Sequence, residues 1–181
     1  MIDVFGLVWR MLAPNEEWGA WKAIQKRWLA FAAERGIELV DEREDTWPVM
    51  KRPLGVLDGV ALSLDGYTLD GEDRSPLESL TCHVASRSQL PSLSLEGRMT
   101  TGDVEFDAEL EVHTNDESAA RLLLHEDLRV ALRAFRPPIV LHYAGGHVKF
   151  SSGSTTLTSD HLEAVVAVVL AACHRATSPY R

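Results

Sequence analysis

The chain has 181 residues, 45% of them hydrophobic and 25% charged, and a formal net charge of −9, which is enough for one domain with a sizeable core. That charge argues against general nucleic-acid binding, which needs clustered Lys and Arg against phosphates, and against an anionic membrane surface. It is also uneven: residues 103–127 hold nine carboxylates against the single Arg121.

Residues 2–12 set Ile2, Phe5, Trp9 and Leu12 at helical spacing, and Pro14 ends the run. The early Asp3, the interrupting Arg10 and the lack of a small-residue cleavage site speak against a secretory leader. Asn15 predicts an N-cap for a second helix, with Glu16 and Glu17 in its first turn and Gly36 just past its end. Trp18, Trp21, Ile24, Trp28 and Phe31 make one stripe on it. Such a stripe faces a core more often than a partner, but Trp18, Trp21 and Trp28 form the alternative interface, because Trp favours interfaces. Residues 1–36 thus form an N-terminal helical segment, and residues 37–181 a sheet with two helical segments, all within a single domain over residues 1–181.

Residues 37–40 predict a short strand, residues 41–45 a charged connector, and Pro48 and Pro53 bracket an irregular stretch. Three Asp-Gly steps follow, at Asp58-Gly59, Asp65-Gly66 and Asp70-Gly71, and Asp-Gly readily takes the positive φ of a tight hairpin turn. Residues 54–57 and 60–64 then pair, with 67–69 as a third strand and 71–77 as a surface loop. Residues 80–87 and 93–96 read as further strands, and residues 97–102 turn the chain into an acidic segment.

In that segment, residues 103–113, every odd position is charged or polar and every even position apolar. Strict alternation is the period of a strand. It predicts Val104, Phe106, Ala108, Leu110 and Val112 inward, with Asp103, Glu105, Asp107, Glu109, Glu111 and His113 on one outer face. These six are the candidate partner-binding residues. Neighbouring carboxylates on one straight strand face stand about 6.6–6.8 Å apart, too far to share a proton, and one strand cannot surround a cation. Solvation of the face comes first among the readings, attraction of a basic protein partner second, and a metal or catalytic carboxylate, with a bulge bringing a pair closer, third.

Asn115-Asp116 caps a helical region over residues 117–135, which Pro137-Pro138 ends. Residues 139–144 and 147–150 form a hairpin about Gly145-Gly146, pairing Ala144 with His147 and His142 with Lys149. The last helix starts near Asp160, which has capping-box spacing to Glu163, and is apolar nearly all round, so it belongs in the middle of the structure. Its longest apolar run, residues 164–173, is far short of the ~20 residues that span a bilayer. Cys82 and Cys173 lie in apolar settings without partners at metal spacing, which suits buried thiols in a reducing compartment. The expected location is the cytoplasm.

Catalytic signatures are missing. There is no glycine-rich phosphate loop, no Gly-x-Ser-x-Gly elbow, no Cys-x-x-Cys and no EF-hand loop. His125-Glu126-Asp127-Leu128-Arg129 starts like a zincin helix but lacks the second His; His142 and His147 share a face without a third ligand; His83 points away from Cys82. No metal or cofactor is expected.

The run Thr101-Gly102-Asp103-x-x-Phe106-Asp107, then Leu110-x-Val112 and Leu123-Leu124-x-Glu126-x-x-Arg129, resembles an uncharacterised family of bacterial proteins. That family has a Thr-Gly-Asp-x-x-Phe-Asp strand and then a helix with a Leu-Leu-x-x-Glu-x-Arg pattern, from which the Glu–Arg spacing here departs by one. Gly55, Gly59 and Leu90-Pro91 fit as well, so the resemblance covers roughly residues 50–175. It implies a fold unit and no activity.

The expected fold is α+β, a largely antiparallel sheet of about six to eight strands carrying N-terminal, middle and C-terminal helices. The expected function is a non-catalytic interaction or scaffold module that binds a basic partner protein through the acidic strand face. The alternatives are an enzyme with a site of scattered carboxylates and histidines, and a small-ligand-binding domain.

Overall fold

The structure is a computed structural model that describes residues 15–44, 51–65, 68–72, 75, 77–87, 97–153 and 158–177. The predicted helix over residues 2–12 and the strand at 93–96 lie outside them. In chain order the described elements are α1 (Asn15–Glu34), β1 (Glu38–Glu44), β2 (Lys51–Leu57), β3 (Val60–Asp65), β4 (Thr68–Glu72), β5 (Thr81–Ser86) and β6 (Gly97–Met99). There follow α2 (Val104–Glu109), β7 (Leu110–Thr114), α3 (Glu117–Leu123), α4 (Glu126–Arg133), β8 (Ile139–Ala144), β9 (His147–Ser152) and α5 (Ser159–Thr177). All nine strands join one antiparallel sheet in the order β1-β2-β3-β4-β9-β8-β5-β7-β6. The α+β class stands, with one strand more than the upper expectation.

Helix α1 stops where the sequence places the stop. Gly36 takes φ +64, its N–H bonds the Ala33 carbonyl at 3.3 Å, and the Ile37 N–H bonds the Ala32 carbonyl at 2.8 Å. Those two bonds are a Schellman closure, which satisfies carbonyls that the helix leaves open. Ile37 then drops into the core. The charged run after it is no connector: it continues β1 to Glu44, at the edge of the sheet, where charge discourages pairing with another chain. Pro53, expected in an irregular stretch, stands inside β2 opposite Glu42.

Of the Asp-Gly steps, Asp58-Gly59 makes the predicted turn, with φ 51 and 79 and Leu57 paired to Val60. Gly66 lies outside the described residues. Asp70-Gly71 does not turn at all; both residues belong to β4. Gly71 is there because α5 crosses β4 so closely that a Cβ would come within 2.5 Å of Val169 Cγ1 and 3.0 Å of Cys173 Sγ.

Residues 97–102 contain the short edge strand β6 besides the turn. The helical region at 117–135 is broken in two at Leu124-His125. Asp116 caps α3 as expected, accepting from the Ala119 N–H at 3.0 Å. The break is held by Arg129, whose guanidinium donates to the Leu124 carbonyl at 3.0 Å. The β8–β9 hairpin has the expected register, with Gly145 and Gly146 at φ 58 and 80. Helix α5 begins earlier than its capping-box pattern implies. Thr158 caps it, its hydroxyl accepting from the His161 N–H at 3.2 Å, while Glu163 pairs with Arg35 of the α1 C-terminus.

Alternation along the strands sorts the sheet into two faces. Leu62, Leu69, Val84, Val112, Leu141, Tyr143, Val148 and Phe150 are buried on one, in a core shared with Val165, Val166, Val168 and Val169 of α5. Trp28 and Phe31 of α1 stack at 5.8 Å within the same core. Burying that much apolar surface is the main favourable term of the fold.

Candidate functional site

The acidic segment is not one strand. Residues Val104–Glu109 form α2, and only Leu110–Thr114 are extended, as β7. Asp103 takes an extended conformation and accepts from the Phe106 N–H at 3.1 Å, as an N-cap does. Glu105 and Asp107 then sit in the first helical turn, where the positive end of the helix favours carboxylates. Val104, which alternation places inside, is 83% exposed, and Ala108 is exposed as well. Phe106 and Leu110 are buried as expected.

The side chains of the Thr-Gly-Asp-x-x-Phe-Asp run explain one another. Asp107 accepts from the Thr101 N–H at 2.9 Å, the Thr101 hydroxyl at 2.8 Å and the Gly102 N–H at 3.0 Å. Gly102 takes φ 87, which reverses the chain into the cap. Arg129 and Arg133 of α4 reach back to Asp103 at 3.3 and 3.7 Å, and Arg133 also reaches Glu105 at 2.6 Å. The Phe106 N–H, and after it Arg133 and Arg129, hold the Asp103 carboxyl below the usual carboxylate range, although burial opposes them. The motif is therefore a device that builds a helix start and clasps it to α4.

The six predicted binding residues do not share a face. Asp103 and Asp107 are turned to the clasp, and Glu111 pairs with Arg98 of β6 at 2.9 Å. His113 stands on the sheet face away from α5. Glu105 and Glu109 remain exposed on α2. Of the alternative tryptophan interface, Trp28 is fully buried in the core. The side chains of Trp18 and Trp21 lie outside the described residues.

A second constellation comes from register alone. On the sheet face away from α5, Arg98 pairs with His113, His113 with His83, His83 with His142 and His142 with Lys149. These five residues make a row across β6, β7, β5, β8 and β9. The His83 and His142 rings lie 5.8 Å apart, tilted by 55°. All three imidazoles are partly buried, and both ring nitrogens of His113 are buried without a hydrogen-bond partner among the described residues. Among the described residues, no three His, Cys, Asp or Glu side chains are arranged to hold a metal ion, this row included.

No family model matches the chain, and no curated protein matches it. Its fold is similar to that in the crystal structure of the mycobacterial trehalose monomycolate transport factor A, TtfA. The TM-score is 0.57 at 12% identity, over 86% of this chain and 97% of that one. The likeness is one of fold. No helix among the described residues is long and apolar enough to cross a membrane.

Two smaller arrangements involve α5. Between α4 and α5 a hollow of about 320 Å³ is lined by Asp127, Leu128, Ala171, His174 and Arg175, with Arg175 bonded to Asp127 at 3.0 Å and to His125 Nδ1 at 3.2 Å. His161 Nε2 lies 2.8 Å from the Ser152 hydroxyl, with Phe135 edge-on to its ring at 5.5 Å. Ser152 is only 4% exposed, and His161 beside it is partly buried.

Burial pushes the His161 imidazole below its ordinary value. The folded chain therefore binds fewer protons there than the unfolded one, and this contribution to stability is lost as pH falls through about 6.5, the unfolded histidine value. Denaturant unfolding between pH 7.5 and 5 is expected to show a decline that His161→Gln reduces. An acid limb identical in the two proteins would count against it.

Proposed function

We propose that this chain is a non-catalytic interaction module, working in a bacterial cytoplasm, that engages a basic protein partner through the exposed carboxylates of α2, α3 and α4. The observation that carries the reading is the placement of these charges on the surfaces of three short consecutive helices. Glu105 is 84% exposed and Asp127 72%, while Glu109, Glu117 and Glu126 are exposed beside them in sequence. The reading thus keeps the acidic segment and moves its binding surface from a strand to helices. Ion pairing of Glu105 to Arg133 does not remove it from play, because exposed pairs are worth little and exchange readily. Val104, Leu122 and Val130, one on each helix, are large exposed apolar side chains that a partner could cover. Nucleic acid is not the partner in this reading, since the surface repels phosphate.

Charge of this kind acts mainly on association rate and is screened by salt over ~8 Å at physiological strength. The test is affinity purification from the native cell at low and high salt, with the wild type and a Glu105→Lys, Glu109→Lys, Asp127→Lys variant. The wild type is expected to capture a basic protein at low salt and to release it at high salt. The variant is expected to associate at least about tenfold more slowly. Equal capture by both, with the same salt dependence, would overturn the reading.

A further inference from the structure

The row Arg98–His113–His83–His142–Lys149 puts five groups that can carry positive charge at directly paired positions on five neighbouring strands. Its ends are neutralised. Arg98 has Glu111 at 2.9 Å, and Lys149 has Asp70 at 3.9 Å. In the next row of the same face His147 stands opposite Glu72. Between the ends, His113 and His142 have no carboxylate paired to them among the described residues; Glu111, one row away on β7 opposite Ala85, is held by Arg98, and the other described side chains flanking the row there are Thr81, Ala85, Val140 and Ala144. Imidazole is the side chain whose charge changes between pH 5 and 8. Like charges directly opposite on adjacent strands destabilise the pairing, and partial burial of the rings weakens the screening that water would supply.

We propose that this row is a proton-sensitive seam: charging the histidines at mildly acid pH loosens the join between β5 and β7. The join yields on that side for a structural reason. β8 continues into the β9 hairpin, and β9 packs under α5. Among the described residues, β7 is backed on its far side by the three-residue β6. What loosens is therefore the edge of the sheet that carries α2 and the clasp. This inference does not depend on the proposed binding role.

Amide hydrogen exchange of the full chain at pH 7.5 and 5.5, corrected for intrinsic rates, tests it. In the wild type, residues 81–86 and 110–114 are expected to lose at least tenfold in protection at pH 5.5 relative to residues 54–63. A His113→Gln, His142→Gln variant is expected to keep that protection, and His161→Gln, which leaves the row intact, is expected to lose it as the wild type does. Should the double variant fail to fold, His113→Gln alone, which takes one charge from the β5–β7 join, is expected to lose less than the wild type. Three results would each overturn the proposal: wild-type protection unchanged at pH 5.5, a loss spread evenly over the sheet, or the same selective loss without the His113 imidazole.

Discussion

Phe106→Ala is expected to lower the unfolding free energy by about 3–5 kcal/mol, because it empties a fully buried site in the core under β7. Glu109→Ala, three residues on along an exposed helix surface, is expected to change it by less than about 0.5 kcal/mol. That ranking alone does not separate a helix from a strand, since both bury Phe106. Val104→Ala does. A strand would bury Val104 and make the change costly, whereas at the start of α2 it is 83% exposed and the cost is expected to stay within about 0.5 kcal/mol. Denaturant melts of the three variants decide: a Val104→Ala cost above about 1 kcal/mol would restore the strand and remove α2.

The misreading of residues 103–109 has a definite physical source. Phe106 and Leu110 are four residues apart, a spacing that satisfies a period of two and a helical period alike. The even positions between and before them, Ala108 and Val104, supplied the alternation but not the burial. What decided for the helix was local chemistry: a capping Asp, acidic residues in the first turn and a Gly able to reverse the chain before it. Each of those signals was present in the sequence, at the place where the resemblance to a bacterial family rested. Where only one pattern was in play, reading succeeded. The Gly145-Gly146 hairpin, the Asp58-Gly59 turn and the Gly36 helix stop all follow from backbone conformations that few residues other than Gly, Asn or Asp take easily.

The histidine row shows what no local pattern reaches. Each of the three sits at a polar position between apolar neighbours, Cys82-His83-Val84, Val112-His113-Thr114 and Leu141-His142-Tyr143, so its face was readable. That the three meet was not. β5 pairs with β7 and β8 rather than with its neighbours in sequence, and that order comes from long-range pairing. The clasp was hidden likewise: nothing local to residues 117–135 says which carboxylates Arg129 and Arg133 meet, and the return of α4 towards α2 brings them to Asp103 and Glu105.

Gly71→Val is expected to be the other strongly destabilising change, by about 3 kcal/mol, through overpacking. Read locally, Asp70-Gly71 is a turn, and a valine there would be disfavoured by positive φ. In the structure Gly71 is an ordinary strand residue of β4, and the obstacle is α5: Val169 Cγ1 and Cys173 Sγ stand 2.5 and 3.0 Å from where its Cβ would be, with Val60 Cγ1 at 3.5 Å. The two explanations separate in a double-mutant cycle with Val169→Ala. If α5 is the obstacle, shortening Val169 makes room, and Gly71→Val should cost at least about 1 kcal/mol less in the Val169→Ala background than alone. Rescue should be partial, because the Cys173 sulfur remains. If backbone strain in a turn were the cause, Val169 would be irrelevant and the two changes would simply add. Additivity within about 0.3–0.5 kcal/mol would show that α5 does not cross β4 as described.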